Sequence, residues 1–226
     1  MAKILRNEIK LSLDKNFDEC IEDLYKAFLE DFQDKNLRPK INGKFVFVDF
    51  NKKTAQKPNI FWHLIGLDVK HSFQVLPCRN TKIQKYCNKN CKLCVHQKLK
   101  RNICLYRGVR LVWVLDVLNI YNNNPNDSRI KWYVEPLEGR NRLKIIYHDD
   151  TDEVVDFIVI LEEYGENYKL ITGFIMFYEN SINDCEKKFM EYHQKLKSEK
   201  VLKFKKNQKK SGYRTIRMPG APFTTR

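Results

Sequence analysis

The chain has 226 residues and a formal net charge of +14, with 42% hydrophobic and 12% aromatic residues. That length and apolar content suffice for a folded core and exclude an intrinsically disordered chain. The longest apolar run, residues 154–161, is broken by Asp156 and is far too short to span a bilayer, so no membrane partner is expected.

In chain order, Phe17, Cys20, Ile21, Leu24, Phe28 and Phe32 recur at spacings of three and four with acidic residues between them, which predicts an amphipathic helix within 12–34. Pro39 and Asn42-Gly43 punctuate the chain, and KFVFVDF at 44–50 reads as a short strand before a polar loop at 52–59. The segment FWHLIGL at 61–67 then surrounds His63 with apolar side chains. A histidine so placed is either a hydrogen-bonded core residue or an acid/base group. LYRGVRLVWVLDVLNIY at 105–121 predicts a buried helix with Arg107 and Arg110 in its first turns and Asp116 near its middle; its valines keep a strand as the alternative. NNNPNDS at 122–128 ends it.

Strand-forming runs follow at 130–135, 142–148, 154–162 and 168–178, joined by connections so short that neighbours must be antiparallel. A helix over 182–197 and a flexible basic tail over 198–226 complete the chain. The predicted fold is α+β: N-terminal helices packed on a four-stranded antiparallel sheet, with a Cys-rich insertion and a C-terminal helix. Its parts are a helix-and-strand cap over 1–60, an α+β domain over 61–197 containing the Cys-rich basic segment 78–104, and the tail.

The charge is localised. Residues 79–110 carry ten Lys or Arg and no acid, residues 195–226 carry a net +10, and the rest of the chain sums to −6. An acidic-to-neutral body with two basic segments fits a polyphosphate partner, with charge that merely solubilises the tail as the plainer reading. Lys82, Lys85, Lys98, Lys100, Arg101 and Arg110, with Lys205 and Lys206 of the tail, are the candidate nucleic-acid contacts. The opening MAKILRNEIKLSLDKNF has no hydrophobic signal core, and the seven cysteines are odd in number and crowded, so a reducing, cytoplasmic setting is expected.

Five cysteines fall within 78–110. Cys91 and Cys94 have the two-residue separation of a zinc-ligand pair; Cys78 and Cys87 are the favoured completion, with Cys104 or His96 as alternatives. Neighbouring lysines would favour the thiolate. A full thiolate set leaves no open position for water, so such a zinc would be a staple. Unligated structural thiols are the plainer reading. CNKNCKLC at 87–94 also resembles the CxxxCxxC motif by which radical S-adenosylmethionine enzymes hold a four-iron cluster. That family continues in alternating strands and helices, whereas the strands here read as antiparallel.

Three pieces, FWHLIGL, NICLYRGVRLVWV and YKLITGFIMF, in this order resemble the phage-associated barnase/EndoU/colicin/RelE-like (BECR-fold) nucleases, small metal-independent ribonucleases often deployed as toxins. The resemblance covers roughly residues 61–178. It implies helices before a four-stranded antiparallel sheet, an RNA substrate, an antitoxin or inhibitor partner and no catalytic cofactor. It further implies attack of a ribose 2′-hydroxyl on the adjacent phosphate, leaving a 2′,3′-cyclic phosphate. By the same resemblance His63 is the acid/base, Arg107 meets phosphate oxygens and Thr172 donates a hydrogen bond. Alternation along the strand puts Tyr178 on the face of Thr172, and Lys144 shares a face with His148 as a weaker pair. The structural alternatives are an Arg107 ion pair with Asp116 or Glu135, and ordinary strand roles for Thr172 and Tyr178. The functional alternatives are a non-enzymatic, zinc-stapled nucleic-acid-binding protein and a radical S-adenosylmethionine enzyme.

Overall fold

The computed structural model describes residues 5–12, 14–68, 95–96, 101–149, 155–176 and 179–211. Met1–Phe189 form one compact unit and Met190–Arg226 a second.

Helix α1 (Phe17–Phe32) begins at a capping box: the Asn16 side chain accepts from the Glu19 amide at 3.0 Å and the Glu19 carboxylate accepts from the Asn16 amide at 2.7 Å. The apolar stripe predicted for this helix is its buried face, with Leu24, Phe28 and Phe32 fully enclosed. Each such side chain contributes about 1.5–3 kcal/mol relative to exposure.

Strands β1 (Lys40–Ile41) and β2 (Lys44–Phe47) form a hairpin whose turn residues, Asn42 and Gly43, have φ of 51° and 80°. Asn-Gly tolerates the left-handed conformation that such two-residue turns require. A second hairpin, β3 (Lys53–Thr54) and β4 (Lys57–Pro58), leads into helix α2 (Asn59–Ile65) and strand β5 (Gly66–Asp68). Strand β5 pairs with β7 (Arg101–Ile103), which also pairs with β6 (Val95–His96). Asp68 and Arg101 are thereby register partners, so the Cys-rich insertion leaves and re-enters the domain at adjacent points.

The single buried helix expected over 105–121 is two helices, α3 (Leu105–Gly108) and α4 (Trp113–Asn123). Between them the hydrogen bonds tighten to three-residue spans, Leu111 to Gly108, Trp113 to Arg110 and Val114 to Leu111 at 3.0–3.2 Å. The β-branched Val109, Val112 and Val114 crowd a regular helix there.

The meander is formed by β8 (Ile130–Leu137), β9 (Arg140–Asp149), β10 (Val155–Tyr164) and β11 (Asn167–Ile175), all antiparallel neighbours. The α+β class holds, but the sheet is larger than predicted. It has six strands in the order β1-β2-β11-β10-β9-β8, and β2 lies parallel to β11, so the sheet is mixed. The meander alone would leave β11 as an open edge, which an added strand satisfies. That parallel pairing lasts only two registers, Tyr168 with Val46 and Lys169 with Phe47.

One face of the sheet, including Leu143, Ile145, Tyr147, Phe157, Val159, Leu161 and Leu170, joins α1, α2 and α4 in a single core. Helix α5 (Glu179–Ser211) starts over the opposite face, where Cys185 accepts from the Tyr133 hydroxyl at 3.3 Å. This helix is longer than the predicted 182–197, so residues 198–211 of the expected flexible tail are helical. No Gly or Pro occurs in that stretch before Gly212, and its Lys, Glu, Gln and Leu residues favour helix. Among the described residues no helix is long and apolar enough to cross a membrane.

Candidate active site

Where β2 parts from β11, α2 comes alongside β11 and a cleft of about 260 Å³ opens. It is lined by Asp49, Lys52, Asn59, Ile60, His63, Lys169, Leu170 and Ile171. The loop carrying Asp49 and Lys52 forms one wall, and this loop and the β3–β4 hairpin that follows it are tied to α2 three times. The Asn59 amide donates to the Lys52 carbonyl at 2.7 Å, the Thr54 hydroxyl to the Asn59 side-chain oxygen at 2.9 Å, and the Trp62 indole to the Thr54 carbonyl at 2.8 Å. Asp49 Oδ1 accepts from the Asn51 amide at 3.0 Å, closing the turn that delivers Lys52.

The other wall is β11, and a bulge sets what it presents. Leu161 opposes Leu170 but Ile160 opposes Thr172, so Ile171 is an extra residue without a partner on β10. Tyr168 and Leu170 are buried before the bulge, Gly173 and Ile175 after it. Lys169 and Thr172 consequently fall on the same face, although uninterrupted alternation would separate them.

His63 is half-buried on α2. Burial, then the nearby Arg101 and Arg107 cations, lowers its pKa to about 4, so the imidazole is neutral at pH 7. Lys169 Nζ sits 3.9 Å from Asp49 Oδ2. Lys52 has no carboxylate partner among the described residues. The cleft thus combines a neutral proton acceptor with two ammonium groups.

The structure brings His63, Arg107 and Thr172 together, but gives Arg107 a different task from the one expected. Its guanidinium donates to the carbonyls of Gly66 at 2.7 Å, His63 at 3.2 Å and Gly173 at 3.3 Å, and to Thr172 Oγ1 at 3.3 Å. It also lies 5.0 Å from the Phe174 ring centre. These acceptors belong to the end of α2 and to the stretch of β11 that has lost β2 as a neighbour. Arg107 closes that backbone gap and is buried in doing so. Burial is the main reason its pKa falls to about 10, which still leaves it charged at pH 7. Neither pairing considered for it occurs: Asp116 binds Arg6, and Glu135 binds Lys144 and Lys188. The Thr172 hydroxyl oxygen accepts from Arg107, which leaves its own proton to be donated elsewhere, and Thr172 is not among the residues lining the cleft.

Arg110 is also corrected. It is buried, ion-paired with Glu8 and packed 3.7 Å from the Tyr106 ring centre, so it is not a surface contact for nucleic acid. Arg101 is half-buried and donates to the Gly66 carbonyl at 3.4 Å. Lys144 is ion-paired with Glu135, and His148 Nδ1 lies 2.8 Å from Asp156, so neither faces the cleft. The parity argument for Tyr178 lapses because β11 ends at Ile175, and Tyr178 itself lies outside the described residues. Also outside them lie Lys82, Lys85, Lys98 and Lys100, the proposed ligands Cys78, Cys87, Cys91 and Cys94, and the side chains of Lys205 and Lys206. Among the described residues no group of three or more His, Cys, Asp or Glu side chains is placed to hold a metal ion.

Lys52, Lys169, Asp49 and Asn59 are the cleft residues that sequence reading missed. Lys169 stands inside YKLITGFIMF, three positions before Thr172, where simple alternation assigns it to the wrong face. Lys52 and Asn59 bound a polar loop that offers no periodicity. The chain matches no protein-family model, no curated protein and no solved structure.

Proposed function

We propose that this chain is an endoribonuclease that cleaves RNA by attack of a 2′-hydroxyl on the adjacent phosphodiester, in the manner of the BECR-fold nucleases its motifs resemble. The observation that carries the reading is the neutral His63 imidazole facing one cleft with Lys52 and Lys169. In the proposed reaction the imidazole takes the proton of the 2′-hydroxyl, the oxygen bonds to phosphorus, and the phosphorane charge meets the two ammonium groups. The imidazolium then returns its proton to the departing 5′-oxygen, leaving a 2′,3′-cyclic phosphate and restoring neutral His63. Each proton transfer is internal to the cleft. Arg107 and Thr172 are positioning residues here, holding α2 and hence His63 against β11.

The basic stretches at 79–100 and 195–226 add backbone affinity that weakens steeply with salt. Zinc in the Cys-rich insertion and an inhibitor protein over the cleft belong to the same proposal, as does action in the cytoplasm. The test is incubation of the purified chain with end-labelled RNA in excess EDTA, beside His63→Gln. Cyclic phosphate ends from the wild type, reduced about 10²- to 10⁴-fold in the variant, support the reading. Salt-sensitive binding with RNA left intact replaces it with the non-enzymatic binding protein.

A further inference from the structure

The face of the sheet away from the core carries, around β2 and the β10–β11 turn, a feature that the cleaving groups do not explain. The Phe47 and Tyr164 rings lie nearly parallel, 15° apart with centres separated by 5.8 Å. Tyr164 is 54% exposed and Phe45, on the same face of β2, is 53% exposed. A soluble domain gains nothing in stability from holding several large rings at its surface, and such patches mark contact sites.

Their position relative to the cleft gives the patch its meaning. Lys169 is the register partner of Phe47, its Nζ lies 5.9 Å from the Tyr164 ring centre, and the same residue lines the His63 cleft. Lys40 Nζ stands 4.5 Å from the Phe45 ring centre at the far end of the patch. Aromatic faces interleaved with lysines, continuous with a basic cleft, are the construction that binds single-stranded nucleic acid: rings stack bases and ammonium groups follow phosphates. Two carboxylates share this face, Asp49 at 3.9 Å from Lys169 and Glu162, the register partner of Lys169, which Arg140 and Arg142 already hold. The Lys169–Asp49 pair is long and partly exposed and contributes little, so Lys169 is able to exchange its carboxylate for a phosphate.

We infer that Tyr164, backed by Phe47, stacks an unpaired nucleobase next to the phosphate held in the His63 cleft, so that the substrate is single-stranded RNA. This rests on the ribonuclease reading for the identity of the cleft but concerns a separate group of residues. A duplex keeps its base faces occupied and cannot use the platform.

The test measures binding apart from cleavage, with the full chain. The probes are a fluorescent 2′-O-methyl oligonucleotide, which has no nucleophilic hydroxyl, its duplex with a complementary strand, and an abasic oligomer of equal length and charge. Tyr164→Ala should weaken single-strand binding roughly 5- to 150-fold and Tyr164→Phe about twofold or less, with duplex and abasic binding unchanged. Single-strand affinity of Tyr164→Ala within twofold of wild type overturns the inference, as does an equal loss for the abasic oligomer. Cleavage of natural RNA by the wild type is followed in parallel. Persistent cleavage with an indifferent Tyr164 sinks the platform alone, whereas a platform effect without any cleavage sinks only the nuclease. A wild type that neither binds nor cleaves overturns both.

Discussion

Replacing Arg107 with methionine separates a brace from a substrate-binding group. The wild-type guanidinium satisfies three carbonyls and one hydroxyl from a buried position. Hydrogen bonds from a charged donor contribute about 1.5–3 kcal/mol each, and a buried carbonyl left without a donor costs about 1–3 kcal/mol. Nη2 shares two hydrogens among three of these acceptors, so even about three full bonds would sum to roughly 5–9 kcal/mol, comparable to the whole stability of a domain. The sum overstates the effect, because removing the cation also removes its own desolvation cost. A net loss of about 3–5 kcal/mol is expected, a large part of the roughly 5–15 kcal/mol that holds a domain folded. In urea unfolding, where a chain of this length has a slope near the top of the usual range, about 2.5–3 kcal/mol per molar, the midpoint should fall by about 1–2 M. Arg107→Lys should recover only part of this, since one ammonium cannot span acceptors on two elements. An Arg107→Met midpoint within about 0.3 M of wild type, together with weakened RNA binding, would refute the argument and return Arg107 to the phosphate.

His63 makes stability depend on pH. Its folded-state pKa of about 4 lies below the ordinary value of 6.5, so between these values the unfolded chain binds more protons and stability falls as pH drops through that window. The full shift corresponds to about 3 kcal/mol, and partial exposure of the ring reduces the expected loss to about 1–2 kcal/mol. Urea midpoints at pH 7 and pH 4.5 should therefore drop further for wild type than for His63→Gln, and parallel drops would contradict the assignment. A Cβ added at Gly173 would stand 2.6 Å from Val114 Cγ2, so Gly173→Ala should cost about 1–3 kcal/mol, with Val114→Ala in the same chain relieving part of it. Simple additivity of the two in a double-mutant cycle would show that α4 and β11 do not meet there. Metal analysis should find about one zinc per chain, lost in Cys91→Ser/Cys94→Ser, and a metal-free wild type purified without chelator rules the staple out.

The parts of the fold governed by short-range rules were legible in the sequence. The stripe from Phe17 to Phe32 marks the buried face of α1 because a helix repeats every 3.6 residues, and the meander is readable because its turns are too short for crossovers. The parallel addition of β2 was not, since nothing within 44–47 names a partner more than a hundred residues away. The two-helix form of 105–123 turns on crowding among valines that pattern alone cannot weigh. The site divides the same way. The order of three short pieces brought His63, Arg107 and Thr172 to one place, whereas their tasks depend on burial. An arginine within an apolar run was a hint that Arg107 serves the interior.

The bulge at Ile171 gives β11 two phases, like a sentence whose reading frame shifts once in the middle. Before it the even-numbered Tyr168 and Leu170 face the core, and after it the odd-numbered Gly173 and Ile175 do. Exchange of one side chain leaves that arrangement standing, but loss of a single residue between Leu170 and Gly173 would merge the phases. Either the lower half would turn Tyr168 and Leu170 outward and carry Lys169 inward, or the upper half would rotate Gly173 away from α4. This strand therefore tolerates changes of letter and resists changes of length. Insertions and deletions in functioning variants should accumulate instead at the tight turns through Gly139 and Gly165, where φ is 76° and 58° and no neighbour crowds the added chain.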